Sequence, residues 1–126
     1  MANKTEYLHW IKSVAATGVL MDPRALAQDV VLTDKAFEHD SYPNRYQLAM
    51  TNTVSWLRKI IEGKVEGTAL TGNLAGWYAF HYQSVRAQKE PANMRIVYRW
   101  NKGQVEVEGF GHRHLPSHFY KRLYPR

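Results

Sequence analysis

Along the first 62 positions apolar residues recur mostly every three or four places, whereas from position 77 they alternate with polar ones. The first spacing predicts helices and the second predicts strands. From Thr5, read as an N-cap, Leu8, Ile11, Val14 and Ala15 mark the buried stripe of a first helix that stops at Gly18. Asp22-Pro23 places a capping acid before a proline at the first helical position and starts a short helix through Ala27. The run Asp29 to Thr33 is β-branched and reads as a brief strand, and Asp34 to Asp40 reads as a helical turn or two that Tyr42-Pro43 interrupts. A longer helix follows from Asn44 to about Glu62, with Tyr46, Met50, Val54, Leu57 and Ile61 on one core stripe.

Gly63, Gly67, Gly72 and Gly76 punctuate a turn-rich connection. In the strand WYAFHY that follows, Tyr78, Phe80 and Tyr82 take one face and Trp77, Ala79 and His81 the other. Residues 83–93 read as a polar loop, and MRIVYRWNKGQVEVEGFGH as a hairpin around Asn-Lys-Gly. On its first strand Ile96, Tyr98 and Trp100 share one parity, and Arg95, Val97 and Arg99 share the other. Helices first and consecutive strands afterwards indicate an α+β fold, with helices on one sheet face and the other face at least partly open.

A chain of 126 residues suits one domain that buries roughly two-thirds of its unfolded surface. No apolar run approaches the roughly 20 residues of a membrane span, and His9, Trp10 and Lys12 interrupt the N-terminal apolar stretch, so a cytoplasmic protein is expected. Without cysteine there is no disulfide, thiolate nucleophile or cysteine-ligated zinc. Residues 1–85 hold eight Lys/Arg and eight Asp/Glu, while residues 86–126 hold nine and three, so the whole positive excess lies in the last third. Such segregation suits a surface that meets phosphates or an acidic partner.

The tail from Gly111 to Arg126 packs three histidines, three arginines, a lysine and two tyrosines into sixteen positions. An RNA 2′-hydroxyl attacking its own phosphodiester needs a base, cations for the developing charge and an acid for the leaving 5′-oxygen. His, Arg and Tyr supply these without metal or other cofactor. A metal reading of His112, His114 and His118 is set aside because none of the marked metal-ligand motifs is present. Arg95 sits beside Ile96 and Val97 on an inner strand, a costly place for a guanidinium unless that face meets an anion. His81 reads equally as a satisfied strand residue or as a catalytic one. Arg86, Lys89, Arg99, His112, His114, Lys121 and Arg122 are the candidate RNA contacts, and Trp77, Phe119 or Tyr120 the candidate stacking platforms.

The run LTGNLAGWYAFHYQS, then MRIVYRW, then QVEVEGFGHRH with an aromatic shortly afterwards, resembles the RelE/ParE superfamily of bacterial toxin–antitoxin toxins over about residues 29–124. The resemblance implies a RelE-like domain at 29–126 behind an N-terminal helical extension at 1–28. It implies a curved antiparallel sheet of about four strands, a basic concave face and neutralisation by a cognate antitoxin. RelE- and YoeB-like members cleave mRNA in the ribosomal A site without metal, which makes ribosome-bound mRNA the expected partner and translation the expected target. ParE-like members inhibit DNA gyrase instead, and a non-catalytic binding module is a further alternative.

By this likeness Arg95 stands for the phosphate-stabilising arginine of the R-[IL]-V-Y strand and Arg113 for the arginine of G-K-R. Tyr120, or its neighbour Phe119, falls near the terminal aromatic. His81 takes the place of the second strand lysine of RelE-like members, Ala79 that of the first, and Glu66 resembles the YoeB-like base. The expected roles are therefore His81 or Glu66 as base, Arg95 and Arg113 as transition-state cations, and His118 or Tyr120 as acid.

Overall fold

A computed structural model describes residues 2–86, 90–124 and 126. Three helices, α1 (Lys4–Ala15), α2 (Pro23–Ala36) and α3 (Arg45–Ile61), precede an antiparallel sheet of β1 (Thr68–Ala69), β2 (Tyr78–Tyr82), β3 (Met94–Asn101) and β4 (Gln104–His112). A 3-10 turn, Gly72–Leu74, separates β1 from β2, and a short α4 (Phe119–Leu123) ends the chain. The strands are ordered β1-β2-β3-β4, each beside its neighbour in sequence. The α+β class expected from the sequence is what the chain adopts.

Three readings of the N-terminal half are corrected. The strand expected at Asp29 to Thr33 is the middle of α2, which runs unbroken through the short helix expected to stop at Ala27. Its buried positions, Ala25, Leu26, Asp29, Val30, Thr33 and Asp34, are spaced three and four apart, so packing at the helical period overrides the weak β preference of Val30 and Val31. Asp22 caps it as expected, its carboxylate accepting from the Ala25 N–H at 3.0 Å. The cap of α1 is Asn3 rather than Thr5, its side-chain oxygen accepting from the Glu6 N–H at 3.0 Å.

The boundary expected between residues 28 and 29 falls inside α2. Val14 of α1 and Leu26 and Val30 of α2 join Tyr46, Met50, Leu57, Ile60, Ile96, Tyr98 and Phe110 in one apolar cluster between the helices and the sheet. Tyr7 donates to the Asp34 carboxylate at 2.6 Å, tying α1 to α2, and burial beside that carboxylate pushes the Tyr7 phenol up to about 12.

The segment before α2 also covers the outer edge of β4. Leu20 donates to Val105 O and accepts from Val107 N, both at 2.8 Å, as a one-residue parallel bridge. Asp29 continues this cover by accepting from the Phe110 N–H at 3.0 Å. Between these points the pairing of β3 with β4 shifts register at Val97/Tyr98. The extra residue lets β4 bury Val105 and Val107 at one parity and Phe110 at the other, so all three reach the same core.

The second sheet face carries a smaller cluster, Ala79, Val97, Phe119 and Leu123, flanked by Leu70, Leu74, Trp77 and Tyr120. Helix α4 therefore lies on the face expected to be at least partly open and free of helices, and covers part of it. What remains uncovered is a cavity.

Candidate functional site

The antiparallel register sets His81 of β2 opposite Arg95 of β3, and Arg95 opposite Gly111 of β4. Because side chains alternate across a sheet, His81 and Arg95 stand together on the second face while Phe80, Ile96 and Phe110 go into the main core. The Arg113 N–H donates to Asn93 O and its carbonyl accepts from the Phe119 N–H, both at 2.9 Å, which pins the tail across the end of the sheet. Phe119 and Leu123 are buried, so α4 holds Tyr120, Lys121 and Tyr124 at the rim. On the far side Leu70 N donates to Trp77 O at 2.9 Å and closes the 70–77 loop into the opposing wall.

These elements enclose a cavity of about 630 Å³ whose lining includes His81, Arg95, Arg113, Tyr120, Lys121 and Asn73. Leu70, Leu74 and Ala79 give it an apolar floor. Three cations and an imidazole converge there, with no carboxylate in the lining among the described residues. A site of this composition favours an anion over any other ligand charge.

Arg95 is only 4% exposed. Its Nη1 donates to Ala92 O at 2.6 Å and Met94 O at 2.9 Å, while its buried Nε has no hydrogen-bond partner among the described residues. Burial lowers its pKa, the neighbouring Tyr120 hydroxyl opposes that shift, and Arg113 adds to it. The guanidinium nonetheless stays charged, because arginine is not deprotonated in proteins. A buried, partly satisfied cation at a cavity wall is a standing attraction for an anion. His81 is exposed, and its pKa is lowered by desolvation first, then by Arg95 and Arg113. Both cations disfavour the imidazolium and so favour the neutral imidazole.

Of the six expected catalytic residues, the fold brings His81, Arg95, Arg113 and Tyr120 to one cavity. Glu66 lines a different hollow with Tyr78, Tyr98, Arg99 and Trp100. His118 lies outside the cavity lining but in ring contact with Tyr120, at 6.1 Å between centroids, and continues a ladder through His114 to His112. His112 lies on the helix side of the sheet, where its ring meets Phe37 edge-on. Its Nδ1 accepts from the N–H groups of His114 and Leu115, both at 3.0 Å, and burial, His114 and Arg95 push its pKa down to about 4. His112 thus acts as the cap of a turn, and among the described residues no three His, Cys, Asp or Glu are arranged to hold a metal ion.

Of the expected RNA contacts, Lys121 lines the cavity and Arg86 is exposed outside it. Arg99 is paired with Glu106 at 3.1 Å and stacks 4.2 Å over the Trp77 ring, so this expected RNA contact and this expected platform face each other. Phe119 is fully buried and offers no face to a base. Lys89 lies outside the described residues.

Arg122 has a structural post. It donates from Nε to Asp29 at 3.2 Å and from Nη2 to Phe110 O at 2.9 Å. Arg126 reaches the same carboxylate at 2.7 Å and 3.1 Å. Asp29, fully buried, therefore binds the β4 edge and both arginines at once. Gly109 and Gly111 make room for it: a Cβ at Gly109 would run into Leu123 and stand 2.7 Å from Arg126 Nη1, and one at Gly111 would stand 2.6 Å from Arg122 Nη2. Sequence reasoning missed this clamp. Its signal was an acid within an apolar helical stripe and two glycines of one parity in a strand.

Comparison with protein-family models, curated proteins and solved structures gave no match to this chain. The resemblance to the RelE/ParE toxins thus rests on the sequence motifs alone.

Proposed function

We propose that the chain is a RelE-type toxin of a toxin–antitoxin pair, a metal-independent endoribonuclease that cleaves mRNA on the ribosome and is neutralised by a cognate antitoxin. The observation that carries the reading is the meeting of an imidazole, three cations and a phenol in one cavity that has no carboxylate in its lining among the described residues. In the proposed reaction His81 takes the proton of the 2′-hydroxyl, whose oxygen attacks the adjacent phosphorus. Arg95, Arg113 and Lys121 hold the extra negative charge of the five-coordinate phosphorane. The Tyr120 hydroxyl donates its proton to the departing 5′-oxygen, leaving a 2′,3′-cyclic phosphate and a 5′-hydroxyl. Among the alternatives left by the sequence, this arrangement favours His81 over Glu66 as base and Tyr120 over His118 as acid, since only the favoured pair shares the cavity with both arginines.

One observation favours the non-catalytic, gyrase-binding reading. The Nη1 of Arg95 is committed to two backbone carbonyls, a use that fold alone explains. Single-turnover cleavage of ribosome-bound mRNA in chelator-containing buffer separates the two, with wild type compared to Arg95→Ala and Arg95→Lys. Nuclease function requires cleavage by wild type, a loss on the order of a hundredfold or more in Arg95→Ala (the order expected for one transition-state donor), and partial rescue by lysine, which lacks the planar fork. Absence of cleavage by wild type, with arrest of DNA synthesis before translation on expression, refutes it.

A further inference from the structure

His81 is shared by two cavities. Beyond it, on the α3 side, a second hollow of about 550 Å³ has a lining that includes His81, Asn52, Trp56, Lys59, Gln83 and Arg86. This hollow too carries cations and, among the described residues, no carboxylate in its lining. Lys59 Nζ stands 4.2 Å over the Trp56 ring, which also meets Phe80 at 4.9 Å between centroids. An aromatic face beside a cation is the pairing that seats a base next to a phosphate.

The walls are built in place. Asn52 of α3 donates to Ser84 O at 2.7 Å, Arg45 donates to Ser84 Oγ at 3.2 Å, and Ser84 and Asn93 exchange hydrogen bonds at 2.9 Å and 3.0 Å. These bonds fasten the start of the 83–93 loop, and with it Arg86, to the helix that carries Lys59 and Trp56. Between the two hollows lies the edge of the sheet. Strand β1 pairs only with Tyr78 and Ala79, so β2 has no further strand beside Phe80, His81 and Tyr82 among the described residues. Among the described residues His81 is the one side chain that lines both hollows.

We propose that a single RNA strand crosses the sheet edge over His81. One nucleotide then sits in the cavity of Arg95 and Arg113, and the next phosphate and base sit on Lys59, Arg86 and Trp56. This inference rests on the reading of the first cavity as a ribonuclease site. It adds a second binding subsite, and it explains why the base lies at a junction: a residue that takes the 2′-proton must stand between one nucleotide and the phosphate of the next. It also assigns a role to Lys59, an exposed residue of α3.

The test is fluorescence anisotropy of a 2′-O-methyl RNA 12-mer, which binds but cannot be cleaved, titrated across a range of salt concentrations. Each cation withdrawn from the phosphates of a single strand lowers the slope of log affinity against log salt by about 0.7. Lys59→Ala/Arg86→Ala is expected to lower it by about 1.4, Lys121→Ala in the first cavity by about 0.7, and Lys102→Ala at the hairpin tip not at all. All four side chains are exposed, and thermal melts confirm that each variant folds. An unchanged slope in the double variant beside a reduced one in Lys121→Ala overturns the second subsite and leaves the ribonuclease reading standing. An equal fall in Lys102→Ala overturns the subsite as a mere general attraction of charge. Failure of wild type to bind the oligonucleotide overturns both.

Discussion

Replacing Asp29 by alanine tests how the cavity is held. The carboxylate is fully buried and is the shared acceptor of Arg122, Arg126 and the Phe110 N–H, and the arginine side chains are 13% and 11% exposed. Its loss strands two nearly buried cations and one buried donor. Breaking a buried ion pair by removing one partner costs about 3–5 kcal/mol. With an unfolding entropy of about 2.1 cal/mol/K per residue, each kcal/mol lowers the melting temperature of a chain this long by about 4 °C. Asp29→Ala should therefore melt about 10–20 °C below wild type by differential scanning calorimetry. Arg126→Ala leaves Asp29 paired with Arg122 and should cost less than half as much. Because α4 carries Tyr120 and Lys121, amide exchange in Phe119–Leu123 should accelerate before that of β3 in the Asp29 variant. A melting point within about 3 °C of wild type would show that the clamp contributes little and refute the reasoning.

The other expectations concern single positions. Arg95→Ala should raise the His81 pKa toward its ordinary value near 6.5, since removing a cation favours the imidazolium; an NMR titration showing no rise would sink the assigned electrostatics. Gly109→Ala should destabilise the protein through the clash with Leu123 and Arg126, while Gly103→Ala, whose Cβ meets nothing, should cost only the strain of its positive φ; equal melting points for the two would contradict the packing. Deleting residues 1–20 should give an aggregating product rather than a soluble sheet, because it uncovers the core around fully buried Val14 and frees the β4 edge from Leu20; a cooperative, monomeric melt would show the segment to be an appendage.

The sequence carried α1, α3 and the hairpin plainly, because each has a long apolar period undisturbed by competing signals. It misled at α2, where Val30 and Val31 suggest a strand to any local reading and only the helical spacing of Leu26, Asp29, Val30 and Thr33 against β4 decides otherwise. Helix α4 escaped because five residues are too few for a period, and because the dense basic tail drew notice away from Phe119 and Leu123, one turn apart and both buried. In the site, Arg95, His81 and Arg113 were legible from strand parity and motif order. Glu66 and His118 were separated from them by the turn of the 63–77 connection and by the loop before α4, which no local pattern encodes. The Asp29 clamp joins positions 81, 93 and 97 residues apart, beyond the reach of any window.

The two edges of the sheet are unlike, and this bounds how copies of the molecule can associate. Growth of a strand-by-strand polymer needs a donor edge and an acceptor edge on every unit. Here the β4 side is occupied by Leu20 and Asp29 of the same chain, while the β1-β2 side has no strand beside His81 and Tyr82 among the described residues. Strand addition through the sheet can thus join two molecules bare side to bare side and must then stop, so this route ends at a dimer in which each His81 is covered by the other copy.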